Sequence, residues 1–264
     1  MKIGYLGPQG SYSYDAVNLY KKDGDELLEF DTIVKVIESL EKGKVEECVV
    51  PIENAIHGSV LDTIDSIFEY KDVYIKDEII LDINHKLMAK EKDLKVAKIY
   101  SHPQALAQCK KFLNDYYYGV EQIPVSSTSY AAKLASKEVN TACICNESCG
   151  KIYKLETLQN NIQDIDGNQT KFIVLSKNKN TRKTKKTSII FSTKDEPGAL
   201  YEILGIFSVN EINLTKIESR PAKTRLGEYM FFVDIEGDEK EEKVNKVLNK
   251  MQEFCDEFRI IGSY

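Results

Sequence analysis

Lys177-Asn178-Lys179-Asn180-Thr181-Arg182-Lys183-Thr184-Lys185-Lys186 divides this chain in two. The stretch is polar and basic and carries no periodic apolar face. It lies between two apolar runs, Phe172-Ile173-Val174-Leu175 and Ile189-Ile190-Phe191. Short apolar runs of this kind read as buried strands. The basic stretch reads as a solvated linker, with a patch for an anionic partner as the alternative. Residues 1–178 then form a first unit, 179–186 a linker and 187–264 a second unit. The patterns on the two sides differ.

Upstream, strands and helices alternate. Residues 3–6 form a short strand, followed by a Gly-Pro-Gln-Gly loop and a helix from about Tyr14. Asp31 can cap a helix with Ile33, Val36, Ile37 and Leu40 on one face, stopped by Gly43. Cys48-Val49-Val50 is a short buried strand. A second helix covers residues 59–70, with Val60, Ile64, Ile67 and Phe68 inward. Strands follow at 73–81, 99–101 and 119–125, with helices after His102 and Ser129. This alternation predicts an α/β fold. Such sheets place ligands at the carboxyl ends of strands, where loops lead into helices.

Downstream, residues 187–193 read as a strand and 197–209 as a helix with Pro197 at its start. Strands at 213–219 and 228–235, an amphipathic helix at 239–254 and a strand at 259–261 complete a β-α-β-β-α-β order. That is the ferredoxin-like plan.

The chain has 264 residues, 42% of them hydrophobic, enough for one large or two modest cores. A net charge of -6 argues against a nucleic-acid partner. No apolar run approaches the roughly 18 residues of a membrane span. The start, Met1-Lys2-Ile3-Gly4-Tyr5-Leu6, lacks the apolar core of a signal peptide, so a cytoplasmic location is expected. Cys143-x-Cys145-x3-Cys149 is the only cysteine cluster. It has no histidine nearby and reads as buried packing rather than a zinc site.

Four loops stand where ligand sites form. Gly7-Pro8-Gln9-Gly10-Ser11-Tyr12-Ser13 offers backbone N–H groups and hydroxyls at a helix start, suited to a carboxylate or simply to a tight turn with a cap. Pro51-Ile52-Glu53-Asn54-Ala55-Ile56-His57-Gly58 puts a carboxylate and an amide at a strand end. Its His57 reads more readily as a surface or hydrogen-bonded histidine than as a base. In Ser101-His102-Pro103-Gln104 the serine can cap a helix, and Gln108 lies on the face of Gln104. Asn168-Gln169-Thr170-Lys171-Phe172 opens a buried strand with a hydroxyl and an ammonium. Spacing alone leads to an anion-binding α/β protein and no further.

Taken together, the loops resemble the prephenate dehydratase family over nearly the whole chain. The resemblance rests on Gly-Pro-x-Gly at 7–10, Pro-Ile-Glu-Asn at 51–54, Ser-His-Pro-Gln-Ala-Leu at 101–106 and Asn-x-Thr at 168–170. The run from 141 to 172 also follows the family's order. The second unit resembles an ACT regulatory domain in Pro197-Gly198-Ala199-Leu200 and Ile217-Glu218-Ser219-Arg220-Pro221.

The resemblance implies a two-lobed catalytic domain like that of periplasmic binding proteins, followed by the ferredoxin-like ACT domain. The chain would cross between lobes near residues 79–81 and again near 153–163. It implies an enzyme, a carbon–oxygen lyase that converts prephenate to phenylpyruvate in phenylalanine biosynthesis, with no cofactor and no metal. Carried over residue by residue, Thr170, Asn54, Ser101 and Gln108 are the expected catalytic groups. Ser11, Ser13, Glu53, Lys171, Phe172, Ser126, Ser127 and Thr128 are expected to bind substrate. Gly198, Ala199, Leu200, Asn213, Leu214, Glu218 and Ser219 are expected to bind phenylalanine as a feedback effector, in a homodimer or tetramer joined through ACT domains. A chorismate mutase activity is not expected, since no helical domain precedes Met1.

Two departures stand out. The family usually has Thr-Arg-Phe where this chain has Thr170-Lys171-Phe172, and Glu-Asn-Ser where it has Glu53-Asn54-Ala55. Lysine keeps the charge but loses the planar two-point grip on a carboxylate. Arogenate as substrate is therefore the near rival, and a non-catalytic amino-acid-binding sensor the rival of a different class.

Overall fold

The structure is a computed structural model that describes residues 1–222 and 229–264. The first strand, β1 (Lys2–Leu6), leads into α1 (Tyr12–Tyr20). Then come β2 (Glu26–Phe30), α2 (Ile33–Glu41), β3 (Glu47–Asn54), β4 (Gly58–Ser59), α3 (Leu61–Glu69) and β5 (Tyr74–Asp82). α2 buries Ile33, Val36, Ile37 and Leu40, as its spacing predicts. Its cap is Thr32 rather than Asp31: the Thr32 hydroxyl accepts the Lys35 N–H at 3.2 Å. Asp31 stands one residue too early and ion-pairs with Lys35 on the surface at 3.0 Å. α3 starts after residue 59 because Ser59 is held in β4 against Glu53.

The chain then builds a second sheet. Its elements are β6 (Lys86–Ala89), β7 (Lys98–Ser101), α4 (Pro103–Gln108), α5 (Lys110–Tyr116), β8 (Glu121–Pro124), α6 (Thr128–Ala135), β9 (Thr141–Cys145), α7 (Glu147–Tyr153) and β10 (Glu156–Gln159). β11 (Gln169–Ser176) returns to the first sheet. The two orders are β2-β1-β3-β11-β5 and β10-β6-β9-β7-β8. The fold is thus α/β with two lobes joined by two crossings, at residues 83–85 and 160–168. The expected crossing at 79–81 falls inside β5, where Ile79, Ile80 and Leu81 all pair with β11. The return overlaps the expected 153–163 only at 160–163, since α7 ends and β10 runs in the earlier part of that interval.

Cys143, Cys145 and Cys149 pack with Met88, Ala131 and Ala132 in the second lobe. Neighbouring sulfur and burial push the Cys149 thiol well up, which keeps it a packing group rather than a nucleophile.

The C-terminal unit holds β12 (Lys186–Ser192), α8 (Ala199–Val209), β13 (Leu214–Pro221), β14 (Tyr229–Glu236), α9 (Glu242–Gln252) and β15 (Phe258–Ser263), in sheet order β13-β14-β12-β15. This is the ferredoxin-like arrangement. Glu228, the expected first residue of β14, lies outside the described residues. Pro197 precedes α8 instead of starting it, because Gly198 takes the cap position at φ +93°.

One face of this sheet is covered by α8 and α9, with Ile189, Phe191, Ile203, Phe207, Val233 and Leu248 between them. The other face docks on the first lobe. There Ile190, Phe232 and Ile261 share one core with Val36, Ile75 and Ile173. Arg220 grips Asp65 of α3 through two bonds, at 2.8 and 3.0 Å. Arg259 donates to the carbonyls of Ile67 and Tyr70 at the end of α3, where the helix dipole is negative. The basic stretch between the units is pinned as well. Lys179 pairs with Glu239 at 3.8 Å, and Asn180 donates to the Lys76 carbonyl at 3.2 Å.

Candidate active site

The adjoining ends of β3 and β11 bring two of the sequence loops together. Their antiparallel register sets Thr170 opposite Asn54 and Lys171 opposite Glu53, with a bulge just beyond Lys171. The Asn54 carbonyl oxygen Oδ1 accepts the backbone N–H groups of Ile56 and His57 at 3.0 and 3.1 Å, which turns the chain into β4. The same side chain donates from Nδ2 to Thr170 Oγ1 at 2.9 Å, Asn168 Oδ1 at 2.9 Å and the Gln169 carbonyl at 3.2 Å. Because Thr170 Oγ1 accepts from this amide, its own proton points elsewhere.

Beside this pair, Glu53 is shared by two ammonium groups. Lys171 reaches Oε2 at 3.2 Å and Lys216, from β13, reaches Oε1 at 3.2 Å. Burial acts to raise the Glu53 pKa, but the two lysines outweigh it and hold the carboxyl below its usual range. Lys171, expected as a clamp for a substrate carboxylate, is thus engaged by Glu53 in this state.

Gln108 connects the lobes. Its Oε1 lies 2.7 Å from His85 Nε2 and its Nε2 lies 3.2 Å from His57 Nε2. An amide in this orientation donates to His57 and accepts from His85, which fixes both tautomers. Burial lowers the His85 pKa, opposed by the bond to Gln108. His57 is exposed, as the sequence suggests, and meets its partner from across the lobes. The first loop also crosses: the Gln9 carbonyl accepts from Ser129 Oγ at 2.7 Å, and that of Gly10 from Cys149 Sγ at 3.0 Å.

Other expected residues sit differently. Ser101 is fully buried and its hydroxyl donates to the Ile144 carbonyl at 2.7 Å. The helix cap expected of it is made by His102, whose Nδ1 accepts the Gln104 N–H at 3.2 Å. Phe172 is 1% exposed and packs with Ile3, Tyr5 and Val174, so it supports the sheet from within the core. Ser11 caps α1 by accepting the Tyr14 N–H, and Ser127 caps α6 by accepting that of Tyr130. Ser13 is buried, Ser126 is exposed, and Thr128 opens α6.

A family model described as prephenate dehydratase matches residues 3–180. The prephenate dehydratase of Lactococcus lactis subsp. lactis is 37% identical, over all of this chain and 97% of that protein. The chain belongs to the prephenate dehydratase family. The bifunctional chorismate mutase/prephenate dehydratase of Aquifex aeolicus is 39% identical over all of this chain and 73% of its own length. The crystal structure of prephenate dehydratase in complex with L-Phe from Arthrobacter aurescens superposes with a TM-score of 0.90 at 28% identity, covering all of this chain and 90% of that one. A second family model, the ACT domain, matches residues 187–253.

Within the ACT domain, Gly198, Ala199 and Leu200 line a hollow with Glu196, Tyr229 and Phe231. Asn213 Nδ2 donates to Glu236 Oε1 at 3.2 Å, and Leu214 packs against the helix-side core. Glu218 does not join this group. It accepts from Ser59 Oγ of the first lobe at 2.7 Å, because Lys216, Glu218 and Arg220 alternate onto the docked face of β13 while Ser219 points away, exposed. The sequence reading misses two residues at the site, His85 and Lys216. Asn84-His85 stands at the true crossing, and the period-two Lys216/Glu218/Arg220 pattern is the only trace of the docked face.

Proposed function

We propose that this chain is a lyase that converts prephenate to phenylpyruvate, carbon dioxide and water, with Thr170 acting on the departing hydroxyl. The observation that carries this reading is the Asn54 Nδ2 bond to Thr170 Oγ1 at 2.9 Å. It turns a strand-end hydroxyl into an oriented donor. In the reaction the electrons of the bond to the ring carboxylate move into the ring. Carbon dioxide leaves at one end, and the hydroxyl at the opposite end departs with one proton as water. The product ring is aromatic, so the net driving force is large. The task left to the protein is to orient the dianion and to stabilise the charge building on the leaving oxygen.

Thr170 donates a hydrogen bond there, and a bound water supplies the net proton, since a threonine hydroxyl is too weak an acid to do so alone. Lys171 meets the side-chain carboxylate by exchanging its bond to Glu53 for one to substrate. Strong cationic contact with the departing ring carboxylate would stabilise the ground state and slow the step. Gln108, held between His57 and His85, senses lobe closure around the ring, and closure excludes water. Ser101 supports this end from below through the Ile144 carbonyl.

Phenylalanine acts as an allosteric effector at the Gly198–Leu200 hollow, with Asn213, Leu214 and Ser219 on the same side of the ACT sheet. The exposed β13 edge is the surface through which two copies pair. Residues 1–178, 179–186 and 187–264 are the catalytic domain, linker and ACT domain, and the enzyme works in the cytoplasm.

The test is phenylpyruvate release from prephenate, and phenylalanine release from arogenate, by the purified protein with and without phenylalanine. Phenylpyruvate formation that phenylalanine alters supports the whole reading. Turnover of arogenate alone changes the substrate and keeps the chemistry. No turnover of either refutes the enzyme.

A further inference from the structure

Lys216 belongs to the ACT domain, yet its ammonium lies at the site of the catalytic lobe. Its side chain is 6% exposed. It contacts Glu53 Oε1 at 3.2 Å and Ser59 Oγ at 2.7 Å. Ser59 in turn donates its single proton to Glu218 Oε2 at 2.7 Å. Across the site Lys171 holds the other oxygen of Glu53 at 3.2 Å. The result is a line of alternating charges, Glu218, Lys216, Glu53 and Lys171, joined by one hydroxyl. Asp234, the register partner of Lys216 on β14, is engaged by the Ser188 hydroxyl.

We infer that Lys216 is a positioning residue for substrate binding: it neutralises Glu53 from the regulatory side and thereby releases Lys171 to bind a substrate carboxylate. The reasoning is electrostatic. A half-buried carboxylate with one cationic partner holds that partner tightly and repels an incoming anion. With two partners its field is shared, so the bond that Lys171 must give up is weaker and the repulsion smaller. The effect falls on binding, since neither Lys216 nor Glu53 reaches the leaving hydroxyl through Thr170. It also follows that any displacement of β13 from Glu53 lowers affinity for the dianion, so the docking of the ACT domain is itself part of the substrate site.

This inference rests on the dehydratase reading, and the experiment separates the two. KM and kcat for prephenate are measured on the full chain, on Lys216→Met, Lys216→Arg and Glu53→Gln, and on the Lys216→Met/Glu53→Gln double variant. Lys216→Met is expected to raise KM roughly fivefold to tenfold with kcat nearly unchanged. Lys216→Arg, which keeps the charge, should restore KM to within about twofold. With Glu53→Gln in place there is no charge left to neutralise, so adding Lys216→Met should then shift KM less than about twofold. An unchanged KM in Lys216→Met, or an equal rise in both backgrounds, overturns the inference while leaving the dehydratase reading intact. Absence of prephenate turnover in the parent protein overturns both. Should Lys216→Met fail to fold, Lys216→Gln keeps a donor for Ser59 without the charge and carries the same comparison.

Discussion

Removing the Thr170 hydroxyl isolates the chemical step from the fold. In Thr170→Ala the backbone of residue 170 keeps its pairing with Asn54 on one side and Leu81 on the other. Asn54 Nδ2 keeps Asn168 Oδ1 and the Gln169 carbonyl as acceptors. Among the described residues, one side-chain hydrogen bond disappears, which costs about 1 kcal/mol of stability. The catalytic loss should be much larger. A hydrogen-bond donor aimed at developing charge contributes about 10²–10³ in rate, or about 2.7–4 kcal/mol of barrier. Steady-state phenylpyruvate formation, read by its enol absorbance, should therefore show kcat falling at least about a hundredfold, with KM moving much less. Thr170→Ser retains the hydroxyl and the Asn54 bond, and should stay within about tenfold of the parent. A Thr170→Ala protein that unfolds like the parent and turns over within about threefold of it would refute the oriented-donor argument.

Lys171→Arg should lower KM for prephenate by about two- to fivefold, because a guanidinium can serve Glu53 and substrate together; an unchanged KM removes Lys171 from carboxylate binding. Gly262 has φ +152°, and a Cβ there would run into the carbonyl oxygen of Ile75. Gly262→Ala should cost about 2 kcal/mol by overpacking the docking seam, and thermal unfolding within a degree or so of the parent would contradict that seam. His85 is held neutral, with its folded pKa below the ordinary 6.5. Its contribution to stability is complete above that value and is lost as pH falls through 6.5 toward the lower folded pKa. Urea unfolding from about pH 7.5 to about pH 5 should show the decline, and His85→Asn should flatten it; an identical slope in both proteins assigns the acid sensitivity elsewhere.

The sequence carries the fold wherever a periodic face meets a single layer. α2 and α9 are legible because each has one apolar stripe and one solvent face. β2 is missed because Glu26 and Glu29 interrupt its apolar run and both faces are only half covered. β6 and β9 lie in the middle of a sheet, where apolar runs do not alternate and resemble helix cores. At the site, motif residues adjacent in sequence divide their tasks by strand geometry: Lys171 faces Glu53 while Phe172 enters the core. Ser101 and Glu218 show the same limit, since each is one rotation of the backbone away from the role its motif suggests. Lys216 was beyond reach for a simpler reason. Its partner Glu53 is far away in the chain, and only the packing of one sheet on another lobe brings the two charges together.

The two crossings make the second lobe an insertion between β5 and β11 of the first. β3 and β5 are not neighbours in the finished sheet; β11 fills the place between them. In chain order, the first lobe therefore has an open slot until residues 83–168, which hold a sheet of their own, have been added. Thr170 and Lys171 arrive on the strand that closes the slot. The site does not exist until the lobe around it is complete, and the ACT sheet, sharing its core through Ile75 and Ile261, follows immediately behind. A chain ending before residue 169 lacks both Thr170 and the strand that joins β3 to β5.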